Sequence, residues 1–208
     1  MHASTTELFD ANDLILELCD SIHTVVAAAS GVKVNYSSIM QRITQTCLRP
    51  DIGTFVMFTG SFSGLVVINF PKDTAMEVYR SYMTHMGMDD RDIAKIYTSD
   101  EVANSLGELM NQILGTFTST LSQKLKIQLK QSQPKMLVLP SEVKLDINLN
   151  IDSPLYRKVT FRTESGKVFY VEVAMEETDF SILDGHVAEY ESLSPDDILE
   201  AINGQRNP

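Results

Sequence analysis

Apolar residues recur at helical spacing through Ile15, Leu18, Ile22, Val25, Val26 and Ala29. With Asn12 as a candidate N-cap and Gly31 as a stop, they predict a helix over about 13–29. Val32 to Tyr36 reads as a strand and leads into an ambiguous stretch that runs to Cys47. Thr54–Phe58 and Leu65–Phe70 then flank Gly60-Ser61-Phe62-Ser63-Gly64, the pattern of a hairpin with a five-residue loop. The unbroken run Leu65-Val66-Val67-Ile68 suits a strand covered on both faces. Pro71 ends it, and Asp73 opens a short helix containing Met76, Val78, Tyr79 and Met83.

A longer helical pattern runs from about Ser99 to Gln123, with Ser99-Asp100-Glu101 supplying the cap and first-turn acids. Beyond Lys126 a strand is expected to about Lys130, then another over Met136–Leu139. Val143, Leu145, Ile147, Leu149 and Ile151 alternate strictly with polar residues, as in a half-buried strand. Val159–Thr163 and Lys167–Val173 form a second hairpin around Glu164-Ser165-Gly166. Ser194-Pro195-Asp196-Asp197 caps a last short helix through Ala201. The acidic stretch between Met175 and Ser194 reads as a surface segment.

The two halves, about 10–90 and 95–176, repeat one order: long helix, strands, hairpin, short helix. Placing Glu17 on Glu108 also aligns Leu18 with Leu109, Ile22 with Ile113 and Val26 with Phe117. Few connections suit right-handed crossovers between parallel strands. The expectation is therefore an α+β fold: a pseudo-twofold duplication with two long helices packed on one mainly antiparallel sheet. Residues 1–176 would make that domain, and 177–208 an acidic extension.

With 208 residues, 43% of them hydrophobic, the chain can bury a real core. It contains no run of about 18 apolar residues, and its start lacks the basic and apolar regions of a signal peptide. A cytoplasmic protein with no membrane association is expected. Cys19 and Cys47 are too few for a secreted disulfide framework and read as reduced core residues, and the four histidines form no pair at metal-ligand spacing. A net charge of -11, with no basic cluster interleaved with aromatics, disfavours nucleic acid.

Chemistry concentrates on the long second helix. Val102, Leu106, Leu109, Met110, Ile113 and Phe117 share one stripe, which must face the sheet. Asn104, Glu108 and Asn111 lie at i, i+4 and i+7 on the opposite side, and Gly115 continues their row. Polar residues on a helix's outer side ordinarily do no more than meet solvent. The glycine asks for a reason, because it costs the helix about 1 kcal/mol relative to alanine; close approach of another backbone would be one.

Asn104-x3-Glu108-x2-Asn111 followed by Pro134 resembles the active-site signature of the CheC/CheX/FliY phosphatases: an Asp or Ser, then Glu, Asn and a later Pro. The run Glu-Leu-Met-Asn-Gln-Ile-Leu-Gly, 108 to 115, resembles that family's Glu-x-x-Asn-x-x-x-Gly core. Position 104 departs from the pattern, being Asn where the family has Asp or Ser. The resemblance implies a CheC-like fold with a single, CheX-type active site, whose helix enters the phosphorylation pocket of a response-regulator receiver in chemotaxis or two-component signalling.

Glu108 and Asn111 would then be catalytic, and Asn104, Gly115 and Pro134 would contact the partner. Asn111 would hold the attacking water and Glu108 would pair with the receiver's lysine. The receiver would supply the aspartyl phosphate and the magnesium ion, so the chain needs no cofactor of its own. A homodimer through a sheet edge is open to such a fold. The first helix carries Asp13-x3-Glu17-x2-Asp20, an imperfect echo with Asp where Asn is needed and Ile43 at the proline offset; this copy is expected to be inert. The competing reading is a non-catalytic CheC-like protein that binds a signalling partner without hydrolysing it.

Overall fold

A computed structural model describes residues 8–145 and 154–181. A short strand β1 (Leu8–Phe9) leads into α1 (Ala11–Ser30). The cap of α1 is Asp10, not Asn12: its carboxylate accepts the amides of Asn12 and Asp13, and Asp13 accepts the Asp10 amide at 2.8 Å. This reciprocal box satisfies donors that a helix start leaves bare, and so it starts the helix upstream of the expected residue. Gly31, at φ 71°, closes the other end as expected.

The strand expected over Val32 to Tyr36 forms as β2 (Val34–Tyr36), and the ambiguous stretch after it resolves into β3 (Gln41–Arg42) and β4 (Thr46–Leu48). The first hairpin, β5 (Ile52–Gly60) and β6 (Gly64–Phe70), has longer strands than predicted, which shortens its loop to Ser61, Phe62 and Ser63. Two helices follow, α2 (Lys72–His85) and α3 (Asp100–Leu125). Ser99 holds the N-cap position of α3 in extended backbone, but its side chain makes no capping hydrogen bond. Then come β7 (Leu129–Gln131), β8 (Lys135–Val138) and β9 (Val143–Leu145), the second hairpin β10 (Leu155–Thr163) and β11 (Val168–Met175), and β12 (Phe180–Ser181).

Of the alternating run, the described part is β9, which pairs with β4; Val143 there is 42% exposed, so it does not line a core as the alternation implied. Ile147, Leu149, Ile151 and the helix expected after Ser194 lie outside the described residues. Within the acidic stretch, β12 pairs with β1.

Every pairing among the described strands is antiparallel. The main sheet has eight strands, running β2-β10-β11-β6-β5-β7, with β3 also on β10 and β8 also on β5. This order reads alike from either end. After α1, β2 and β3 border the second hairpin; after α3, β7 and β8 border the first; and the hairpins' second strands, β6 and β11, meet in the middle. The duplication expected from the sequence thus appears as a twofold-like exchange of strands between halves.

Both long helices pack on one face of this sheet and against each other. Leu14, Leu18 and Ile22 of α1 and Val102, Leu106, Leu109, Ile113 and Phe117 of α3 are buried on Val56, Phe58, Val66, Ile68, Phe161 and Val171. Each such side chain contributes roughly 1.5–3 kcal/mol by leaving water. Leu65 and Val67 face the other side and pack with Leu48 and Ala174, so β6 is covered on both faces. On that second face Glu172 is fully buried; it accepts the Cys47 amide at 2.8 Å and the Arg49 Nε at 3.2 Å.

Candidate functional site

The stripe that buries α3 leaves the opposite side of the helix in solvent. Asn104, Glu108, Asn111 and Gly115 are all exposed. The side chains of Asn104, Glu108 and Asn111 form no hydrogen bond or ion pair with any described residue. A rigid 26-residue helix seated on a sheet therefore presents three unengaged polar tips.

These residues do not stand on a plain convex surface. The strand β8 runs beside the N-terminal half of α3, and Gln133, Pro134, Lys135 and Met136 wall a groove of about 480 Å³ opposite Asp100, Asn104, Gly107, Glu108 and Asn111. Pro134, remote in sequence, thus borders the same groove as the helix row. A Cβ at Gly107 would lie 3.5 Å from Cγ of Met136, so this glycine sits in the floor where helix and strand come close. Gly107 is a residue the signature does not mark, although its place three residues after Asn104 and four before Asn111 puts it on the same face.

Gly115 lies further along and does not line this groove. Apart from its own helix turn, no described atom stands within 4 Å of where its Cβ would be, so no described residue makes the close backbone approach inferred for it. Beyond it, Thr118, Ser119 and Ser122 continue the row into a second concavity of about 750 Å³, walled opposite by Gln128, Leu129 and Lys130 of the β7 region. Gly60 closes its end. At φ 134° and with a Cβ position only 2.3 Å from the Gln128 carbonyl oxygen, Gly60 can only be glycine.

The corresponding row on α1 is fully engaged. Asp13 belongs to the capping box, Glu17 pairs with Lys124 of α3, and Asp20 accepts the Tyr36 hydroxyl at 2.5 Å. The Asp20 carboxylate, with burial as a second cause, holds the Tyr36 phenol above its ordinary range. Ile43, at the proline offset, lies beyond the end of β3. Two equivalent helices on one sheet thus differ in kind: one has spent its polar row on the fold, the other has kept it free.

Among the described residues no helix is long and apolar enough to cross a membrane. No curated protein matches the chain. Solved structures do. CheX from Desulfovibrio desulfuricans aligns over 79% of this chain and 99% of its own at 18% identity, with a TM-score of 0.64. A CheX–CheY–BeF3–Mg complex from Borrelia burgdorferi aligns over the same shares at 22% identity and a TM-score of 0.58. FliY from Thermotoga maritima aligns over 78% and 84% at 17% identity and 0.53. Likeness at these identities establishes the fold, which is that of the CheC/CheX proteins. The sequence model of the family described as "Protein of unknown function (DUF3334)" matches residues 5–208, so the chain belongs to that family and carries it on a CheC-like fold.

Proposed function

We propose that this protein hydrolyses the aspartyl phosphate of a response-regulator receiver in the cytoplasm. The observation that carries the reading is the convergence of Asn104, Glu108, Asn111 and Pro134 on one open groove, with the three polar tips unengaged. The CheX–CheY complex among the similar structures supports a receiver as the partner. Glu108 pairs with the receiver's lysine and fixes the register of the helix in the pocket. Asn111 orients a water through its amide, in line with the phosphorus. Attack forms the new P–O bond as the bond to the aspartyl oxygen breaks, releasing inorganic phosphate and restoring the carboxylate. The receiver provides the aspartyl phosphate and the magnesium ion, and this chain provides position.

Asn104, where the related signature has Asp or Ser, favours a second reading, a binding protein without catalysis. One experiment separates the two: incubate the protein with a phosphorylated receiver and follow the loss of phosphate. Accelerated loss supports the phosphatase; binding with an unchanged rate of loss selects the binding protein.

A further inference from the structure

Between Glu108 and Glu142 the chain has no acidic residue and four lysines, Lys124, Lys126, Lys130 and Lys135. At the chain's average content, 28 acids in 208 residues, about four acids would fall in a stretch of that length. Folding gathers this stretch on one side of the molecule, as the outer face of α3 with β7 and β8. Lys130 lines the larger concavity, which no carboxylate borders. Lys135 lines the groove that holds Glu108 and Asn111. Lys124 is paired with Glu17, whereas Lys126, Lys130 and Lys135 are exposed and form no ion pair with a described residue.

Two ordinary explanations cover part of this. Lysines at a helix C-terminus offset its dipole, which suits Lys124 and Lys126, and lysines on edge strands discourage sheet-to-sheet pairing, which suits Lys130 and Lys135. Neither accounts for the missing carboxylates on the facing helix, where Asn111, Gln112, Gly115, Thr116, Ser119 and Ser122 are exposed without a charge. In a chain of net charge -11, such segregation makes one face attractive to an anion that the remainder repels.

We infer that this face is an electropositive docking stripe that captures an acidic protein surface and leads it to the groove at Glu108 and Asn111. The inference rests on the phosphatase reading for the partner's identity, a receiver whose phosphorylated pocket is anionic. Lys126 and Lys130 are the capturing residues. They act on encounter and affinity, and take no part in the chemistry. Nucleic acid fits less well: the stretch has no arginine, its one aromatic, Phe117, is buried, and the net charge opposes a phosphate backbone.

The test uses the full chain and the organism's receiver domains loaded with beryllofluoride and magnesium, titrated at about 0.05 M and about 0.5 M salt. Wild type should bind one receiver and weaken about tenfold or more across that range. The double variant Lys126→Gln, Lys130→Gln should bind about tenfold more weakly at low salt, lose most of the salt dependence, and hydrolyse at an unchanged rate at saturating phosphorylated receiver. Equal affinity and equal salt dependence in both proteins would overturn the stripe, whatever the hydrolysis assay shows. Salt-sensitive binding that the double variant loses, without hydrolysis by wild type, would support the stripe while ending the phosphatase reading. Wild type that binds no receiver, or that prefers a random single-stranded oligonucleotide, would end both.

Discussion

The Tyr36 hydroxyl donates to Oδ1 of Asp20 at 2.5 Å, tying the strand after α1 to the helix residue that aligns with Asn111. Asp20→Ala should therefore leave receiver dephosphorylation unchanged and lower stability by less than about 1 kcal/mol, the scale of an exposed contact. Its spectroscopic signature is sharper. The Tyr36 phenol is held above its usual range by Asp20, so the folded state favours the protonated phenol; this contribution is present at neutral pH and is lost as pH rises through the folded value. An ultraviolet titration should show one tyrosine ionising at lower pH in the variant. A large loss of activity in Asp20→Ala would mean that α1 carries the chemistry.

Replacing Asn111 with Ala should preserve the fold, since the side chain is exposed and unengaged, and cut dephosphorylation about a hundredfold or more. Asn111→Asp should be as damaging. A carboxylate about 4 Å from phosphoryl oxygens meets repulsion of roughly 4 kcal/mol at an effective dielectric of 20, and it cannot donate as an amide does. Wild-type rates in Asn111→Ala would rule the mechanism out.

Much of this arrangement is legible in the residues themselves. The α3 stripe from Val102 to Phe117 is buried and its opposite row exposed, because the 3.6-residue period is long and unbroken there. The start of α1 turns on one signal: Asp10-x-x-Asp13 is the reciprocal box, while Asn12 only resembles a cap. The short strands β3 and β4 leave no sequence signal, because two or three residues cannot display a period, and they are strands only through their partners β10 and β9. The engagement of Glu17 and Asp20 is likewise invisible in sequence. It depends on Lys124 and Tyr36, which only tertiary packing brings near.

Arg49 links a buried carboxylate to a surface one: its Nε lies 3.2 Å from Glu172, and its Nη1 2.6 Å from Glu142. Removing the shared cation strands the buried partner, so Arg49→Met should cost about 3 kcal/mol or more in chemical denaturation. Glu142→Gln should cost under about 1 kcal/mol, because that carboxylate is 42% exposed. Equal losses would contradict this division.

Asp10 offers a test by pH. The Asp13 amide, with further help from Asn12, holds the Asp10 carboxyl below the usual aspartate range. A lowered value stabilises the fold above the unfolded pKa, and the benefit is lost as pH falls through the folded one. Asp10→Ala should therefore cost about 1 kcal/mol at neutral pH, a typical cap loss, and the gap between variant and wild type should narrow below about pH 4. Denaturation midpoints across that range provide the check.

The symmetric order of the main sheet has a consequence for the autonomy of its parts. Because β2 and β3 after α1, and β7 and β8 after α3, are hydrogen-bonded to the other half's hairpin, cutting the chain between α2 and α3 would leave two fragments, each with an unfilled edge where its counterpart's strand belongs. Neither fragment can complete its own sheet, but two copies of one fragment could complete each other's by reciprocal exchange. The single chain is in effect an interlocked pair joined covalently, and the join lets one partner keep its helix bare while the other's is consumed in holding the pair together.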